Sequence, residues 1–98
     1  MTINKYQNGN TLVIALEGRL DTTTAPELDK ELETGLDDVT DLVFDFAKLE
    51  YITSAGLRAL LYAYKTMRAK GTMKVINVNE VIKEVFEVTG FSGILTIE

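Results

Sequence analysis

Hydrophobic residues along this chain follow a strand-like spacing in some segments and a helix-like spacing in others. Five segments read as strands, the first of them weakly: 2–7, 11–18, 41–47, 73–78 and 94–97. The run at 11–18 is almost continuously apolar, so we expect both of its faces to be buried. Asn8-Gly9-Asn10, between the first two runs, is typical of a tight turn. The first two strands are therefore predicted to form an antiparallel hairpin.

Three other segments repeat their apolar residues every three or four positions, which predicts amphipathic helices. In the first helix, at 25–35, the expected buried face consists of Ala25, Leu28, Leu32 and Leu36. In the second helix, from about 54 to 69, it consists of Leu57, Leu60, Leu61, Tyr64 and Met67. In the third helix, which follows Asn79, it consists of Val81, Ile82, Val85 and Phe86.

Residues with side chains suited to capping stand at the predicted helix starts. Thr24 and Glu27 have the spacing of a capping box for the first helix. Ser54 is the natural N-cap of the second helix, because its hydroxyl can accept from the free amides of the first turn. Asn79 can cap the third helix in the same way.

The resulting order, ββαβαβαβ, predicts one α/β domain over residues 1–98. Strands that alternate with helices form parallel pairs with right-handed crossovers. We expect a single-layer mixed β-sheet, with an antiparallel N-terminal hairpin followed by parallel βαβ units, covered by three main helices. After the strand at 41–47, Lys48-Leu49-Glu50 leads to the turn that contains Thr53, Ser54, Ala55 and Gly56. The residues expected in the core include Val43, Phe44, Leu60, Leu61, Val75 and Ile76.

Charge and composition narrow the function classes. With 15 acidic and 10 basic residues the net charge is −5, which argues against nucleic acid as a partner because phosphate binding requires a clustered basic face. The chain contains no Cys and no His, so thiolate chemistry, imidazole catalysis and the usual zinc ligands are absent. No apolar run reaches the roughly 18 residues of a membrane span. The start of the chain lacks a secretory apolar core, so we expect a cytoplasmic protein.

Catalytic constellations are also scarce. Asp41 and Asp45 share one face of a predicted strand, an arrangement that is far more often structural than catalytic. Neither of the two glycine-rich phosphate-binding loop motifs occurs. These residues predict no metal or cofactor and favour a binding protein over an enzyme.

The segment Thr53–Gly56 is the most distinctive feature for function. It joins a strand to the second helix, and a helix start offers unpaired amides and a partial positive charge, which suit a phosphate. Gly56 so early in a helix has two explanations, which the sequence leaves open. Either the helix packs closely on the sheet, or another backbone or a phosphate must approach.

Three segments together resemble the STAS domain family, whose members include bacterial anti-sigma factor antagonists and domains of sulphate transporters. They are EGRLDTTTAPEL at 17–28, LVFDFAKLEYITSAGLRALL at 42–61 and VNEVIKEVFEVTGFSGILTI at 78–97. Their order agrees with the family over essentially the whole chain. Without transporter helices, the chain looks like a stand-alone antagonist.

The resemblance implies a partner switch that regulates transcription. An antagonist of this family binds an anti-sigma factor, which is also a Ser/Thr kinase, and so frees a sigma factor. The kinase uses ATP to phosphorylate a serine on the turn before the second helix, and a phosphatase resets the switch. An alternative within the same family is an adaptor or subunit of a transport or signalling complex that binds without phosphorylation.

The turn departs from the family pattern at the position that matters most. The usual turn is Asp-Ser-Ser-Gly-Leu with the second serine as acceptor, whereas here it is Thr53-Ser54-Ala55-Gly56-Leu57. Ala55 stands at the acceptor position and cannot be phosphorylated. Ser54 has taken the role of phosphoacceptor, or the switch works differently, or the protein is not switched by phosphorylation.

Further site residues follow from the resemblance. Asp21 matches the family's loop acid, whose expected role is to shape the turn or orient the nucleotide of the kinase. We expect the partner to contact 20–24, including Thr22, and 53–58. The exposed side of the second helix should extend this surface through Arg58, Tyr62 and Lys65.

Overall fold

A computed structural model describes all 98 residues and contains five strands and three helices. The strands are β1 (Thr2–Asn8), β2 (Thr11–Leu20), β3 (Asp41–Ile52), β4 (Thr72–Ile76) and β5 (Thr96–Ile97). The helices are α1 (Ala25–Gly35), α2 (Ser54–Arg68) and α3 (Glu80–Thr89), with a short 3₁₀ turn at Phe91–Gly93. The strands form one sheet in the order β1-β2-β3-β4-β5. β1 is antiparallel to β2 and the other pairs are parallel, which confirms the predicted mixed sheet.

One face of the sheet is packed against the helices and the other is not. In β2, Leu12, Ile14 and Leu16 are buried in the same cluster as the helix residues, whereas Val13 and Ala15 are only half-buried. The prediction that both faces of this strand are buried is therefore wrong. Right-handed crossovers between successive neighbouring strands place all three helices on the same side.

β3 is longer than its hydrophobic pattern indicated. Instead of ending at Ala47 as predicted, it continues to Ile52 and stays paired with β2 up to Leu20. Two register shifts absorb the extra residues of β3, and Leu49 and Ile52 remain buried. The pair β2–β3 therefore extends beyond the rest of the sheet and supplies both segments of the site described below.

The buried face of α2 is rotated from the predicted one. Leu57, Leu60 and Met67 are buried as expected, but Leu61 and Tyr64 are only half-buried. Small residues take their place on the buried face, namely Gly56, Ala59 and Ala63. Of the six predicted core residues, Val43, Phe44, Leu60 and Val75 are buried, while Leu61 and Ile76 are half-buried.

The other two helices follow the predictions more closely. In α1, Ala25, Leu28, Leu32 and the following Leu36 are all buried. In α3, Ile82 and Phe86 are buried, but Val81 is 54% exposed, so its place in the apolar face was predicted wrongly. Asn79 caps α3 as predicted, with its side-chain oxygen accepting from the Ile82 amide at 2.8 Å. No helix is long and apolar enough to cross a membrane.

Candidate functional site

Two segments that are 30 residues apart in the chain meet where β2 and β3 end. The Thr53 amide donates to the Leu20 carbonyl at 3.0 Å. A Cβ at Gly56 would lie 2.7 Å from both Leu20 Cγ and Ile52 Cγ1, so a side chain at this position would collide with the core. Of the two explanations for Gly56, the geometry supports close packing of the helix start on the strands. This packing brings the loop after β2 beside the first turn of α2.

The loop after β2 is organised by the Asp21 carboxylate. Its Oδ1 accepts from the Thr23 hydroxyl at 2.7 Å and from the Thr23 and Thr24 amides at 3.0 and 3.2 Å. These hydrogen bonds hold the pKa of Asp21 below its ordinary value, and the bond from the Thr23 hydroxyl has the largest effect. Desolvation opposes them with a smaller effect. Asp21 therefore fixes the shape of its own loop, and the two roles that the resemblance implies for it stay predictions.

The capping box predicted from Thr24 and Glu27 does not form. The Thr24 hydroxyl donates backwards to the Arg19 carbonyl at 2.8 Å and accepts from the Asp21 amide at 2.9 Å, so it makes no cap bond to the helix. The carbonyl of Asp21 instead accepts from the Ala25 amide at 2.8 Å. The threonine hydroxyl is used to close the loop rather than to begin α1.

The start of α2 has no side-chain cap. Thr53, not Ser54, is the N-cap residue, and its side chain makes no cap hydrogen bond. The Thr53 Oγ1 is buried without a partner. Ser54 is the first helical residue and is exposed, so the prediction that it caps the helix is wrong. The amides of Ser54, Ala55 and Gly56 form no intrahelical bond, because the first such bond runs from the Leu57 amide to the Thr53 carbonyl.

The remaining predicted site residues differ in exposure. Gly56 and Leu57 are buried, so they support the surface without contributing side chains to it. Ala55 is half-buried, and Thr22 and Arg58 are exposed. Thr22, Ala55 and Arg58 line one groove. The predicted residues of the two segments therefore do come together, as a mixture of accessible and supporting positions.

This groove lies between α1 and α2 and has a volume of about 440 Å³. Its lining comprises Thr22, Ala25, Pro26, Asp29, Glu33, Ala55, Arg58, Ala59 and Tyr62. The α1 residues Pro26, Asp29 and Glu33 were not predicted as site residues. Their spacing of three and four positions places them in one stripe of α1, beside its apolar face. This spacing was the signal in the sequence that could have identified them as site residues.

Asp41 and Asp45, the two acidic residues on one face of β3, accept hydrogen bonds from neighbouring polar groups. Asp41 Oδ1 accepts from the Thr72 hydroxyl at 2.9 Å. Asp45 Oδ1 accepts from the Asn77 side-chain amide at 2.9 Å and from the Ala47 amide at 3.0 Å. This agrees with a structural rather than catalytic role for the pair. No group of three or more His, Cys, Asp or Glu side chains converges as a metal site would require.

Comparison with known proteins agrees with this geometry. The model of the STAS domain family matches residues 2–98. A Bordetella bronchiseptica protein named as an anti-sigma factor antagonist, BtrV, is 33% identical over 88 residues, which are 88% of this chain and 76% of the relative.

Two solved structures share the fold. An anti-sigma factor antagonist from Mycobacterium paratuberculosis superposes with a TM-score of 0.88 at 22% identity, over 98% of this chain and 83% of the other. The phosphorylated form of the Bacillus cell fate determinant SpoIIAA gives 0.78 at 21% identity, over 99% and 91%. With the family model matching nearly every residue and the topology in agreement, the chain belongs to the STAS domain family.

Proposed function

We propose that this chain is an anti-sigma factor antagonist, a regulatory binding protein that sequesters an anti-sigma factor in the cytoplasm and so frees a sigma factor. The observation that carries the proposal is the open start of α2, with its exposed Ser54, beside a concave groove. The similarity to BtrV, which bears the antagonist name, supports the same function. Binding requires no catalytic group, in keeping with the structural roles of Asp41 and Asp45.

The anti-sigma factor is further proposed to be a Ser/Thr kinase that phosphorylates Ser54, with a phosphatase to reverse the reaction. Ser54 is exposed and has no capping role, so its hydroxyl is free for transfer of a phosphoryl group. A phosphate adds about −1.5 to −2 charges at pH 7. At the first helical position it meets unbonded amides, which favour it within this chain. In a closed interface the same charge is repelled or desolvated, so the partner dissociates.

A second candidate function is an adaptor of a signalling or transport complex that binds by the same surface without phosphorylation. The observation in its favour is Ala55, which stands where the family's usual turn has its acceptor serine. The two candidates share the groove and differ in the partner that is bound there and in the modification of Ser54.

Mass spectrometry of the intact protein separates the two candidates. The chain is used to capture its partner from native cells, and the purified complex is incubated with ATP. We expect an anti-sigma factor in the complex and a gain of one phosphate, which Ser54→Ala abolishes. Ser92→Ala, at the other serine of the chain and also exposed, is the matched control and should keep the gain.

Other results would contradict parts of the proposal. A partner that is not an anti-sigma factor would overturn the antagonist function. Capture of an anti-sigma factor without any mass gain, or with a gain that survives Ser54→Ala, would leave binding intact but remove Ser54 as the acceptor.

A further inference from the structure

We propose that the groove between α1 and α2 recognises its partner through two walls of opposite charge. The acidic wall is formed by Asp29 and Glu33 on α1, and the basic wall by Arg58 on α2. This inference rests on the proposed function and specifies the partner surface that fits. The occupant is a segment of the anti-sigma factor that directs a basic side chain toward α1 and a carboxylate toward Arg58.

The two carboxylates of the acidic wall form no ion pair within the chain. Asp29 and Glu33 are one helical turn apart, so their like charges repel each other. Neither carboxylate has a basic group within 4 Å, whereas Glu31 on the same helix pairs with Lys5 at 2.5 Å. A cation from the partner would relieve this repulsion. Asp29 is half-buried, so its interaction with that cation would be less screened than one on the open surface.

The basic wall has a similarly unengaged charge. The chain has three arginines. Arg19 lies over the Tyr51 ring at 5.6 Å and Arg68 over the Tyr64 ring at 5.8 Å. Arg58 has neither an aromatic ring under it nor a carboxylate within 4 Å. Its guanidinium is therefore free to form a bidentate pair with a carboxylate of the partner.

The groove between these walls accommodates a side chain of the partner. Ala25, Ala55 and Ala59 contribute only methyl groups to its lining, which leaves the space open. Tyr62, 47% exposed, extends the basic wall with an aromatic face. A partner surface with one sign of charge would leave one wall unpaired and desolvated, which is costly. Opposed walls therefore select the orientation of the bound segment as well as its composition.

Affinity measurements with charge-removing variants test this assignment. The probe is the purified anti-sigma factor that the wild-type chain binds, titrated by calorimetry at low and high salt. Asp29→Asn with Glu33→Gln should weaken binding about tenfold or more, and Arg58→Gln by a similar factor, because each leaves a partner charge unpaired. The salt dependence of binding should fall in both variants.

Matched controls remove the same charges elsewhere. Glu84→Gln with Glu87→Gln takes two exposed carboxylates from α3, and Arg68→Gln takes an arginine from the far end of α2. Both should bind within about twofold of wild type, and circular dichroism should show all variants folded. Groove variants that bind as tightly as these controls would overturn the opposed-wall assignment while the antagonist function stands. A wild-type chain that binds no anti-sigma factor would overturn both.

Discussion

The first turns of α2 and α3 both contain amides without intrahelical partners, but only α3 has a side-chain cap for them. At α3, Asn79 accepts from the Ile82 amide at 2.8 Å and its side-chain nitrogen donates to the Leu49 carbonyl at 3.0 Å. At α2, Thr53 makes no cap bond and the exposed Ser54 leaves its hydroxyl unused. One helix is therefore held at its end by a side chain, and the other begins with its polar groups free.

Packing accounts for the stability of the uncapped start. Gly56 is pressed against Leu20 and Ile52, and Leu57 and Leu60 continue the buried face. Burial of apolar surface can hold a helix whose terminal amides are left to solvent or to a ligand. The free groups at the start of α2 are therefore available for function, because stability there comes from the core.

The largest expected effect is on the packing that holds α2. Leu60 is fully buried, so Leu60→Ala should lower the free energy of unfolding by about 2–5 kcal/mol through the cavity it leaves. Leu61→Ala, at a half-buried neighbour, should cost clearly less. Urea denaturation of both variants measures the difference. Equal losses would show that the buried face of α2 is placed wrongly.

A smaller effect is expected at the contact between the helix start and the strands. Gly56→Val introduces atoms where a Cβ already approaches two core side chains at 2.7 Å, and overpacking of this kind costs about 1–3 kcal/mol. Gly35→Ala is the control, because a Cβ there meets nothing within 4 Å. Thermal unfolding followed by circular dichroism distinguishes the two. A neutral Gly56→Val would mean that packing does not hold this start.

The two starts can be compared directly by removing their polar side chains. Asn79→Ala should cost about 0.5–2 kcal/mol, because it deletes a cap. Ser54→Ala should change stability by less than about 0.5 kcal/mol, as expected for a surface position without such a feature. Urea denaturation of the two variants side by side is the measurement. If Ser54→Ala lowered the free energy of unfolding as much as Asn79→Ala does, Ser54 would have a capping role after all.

The smallest effect concerns the loop that faces the α2 start. Because the pKa of Asp21 is lower in the folded protein, its charge contributes stability at pH values above the ordinary pKa of an aspartate side chain. That contribution is lost as the pH falls through the depressed value. Asp21→Asn keeps an accepting oxygen but no charge. The amount by which its free energy of unfolding lies below that of wild type should therefore shrink as the pH falls from 5 into the acid range. A deficit that is constant across this range would contradict the assignment.

Much of the fold could be predicted because the relevant forces are local. Periodic apolar residues placed α1 within its observed bounds, and Asn8-Gly9-Asn10 placed the hairpin. The wrong predictions concern features that depend on contacts between residues far apart in the chain. The strand β3 continues past 48–50 because β2 remains beside it, and no pattern within β3 records the length of its neighbour.

In the candidate site, too, some features were predicted from the sequence and others depend on packing. The segments at 20–24 and 53–58 were predicted to contact one partner, and they lie together, with the Thr53 amide donating to the Leu20 carbonyl. Ser54 was assigned a cap by residue type, yet the backbone at Thr53 takes that position. Asp29 and Glu33 were passed over because an acidic stripe on a helix is usually a solvated face.

Residue types and local spacings were enough to predict which elements form, their order and the chemistry available at the turn before α2. Those properties depend on residue type and on spacings of two to four positions, which the chain carries locally. Three features follow from tertiary packing alone: Gly56 is pressed into the core, Ser54 is left exposed, and the stripes on α1 and α2 enclose a groove. Each of these depends on how closely and at what rotation two elements pack, which is set by side chains from both.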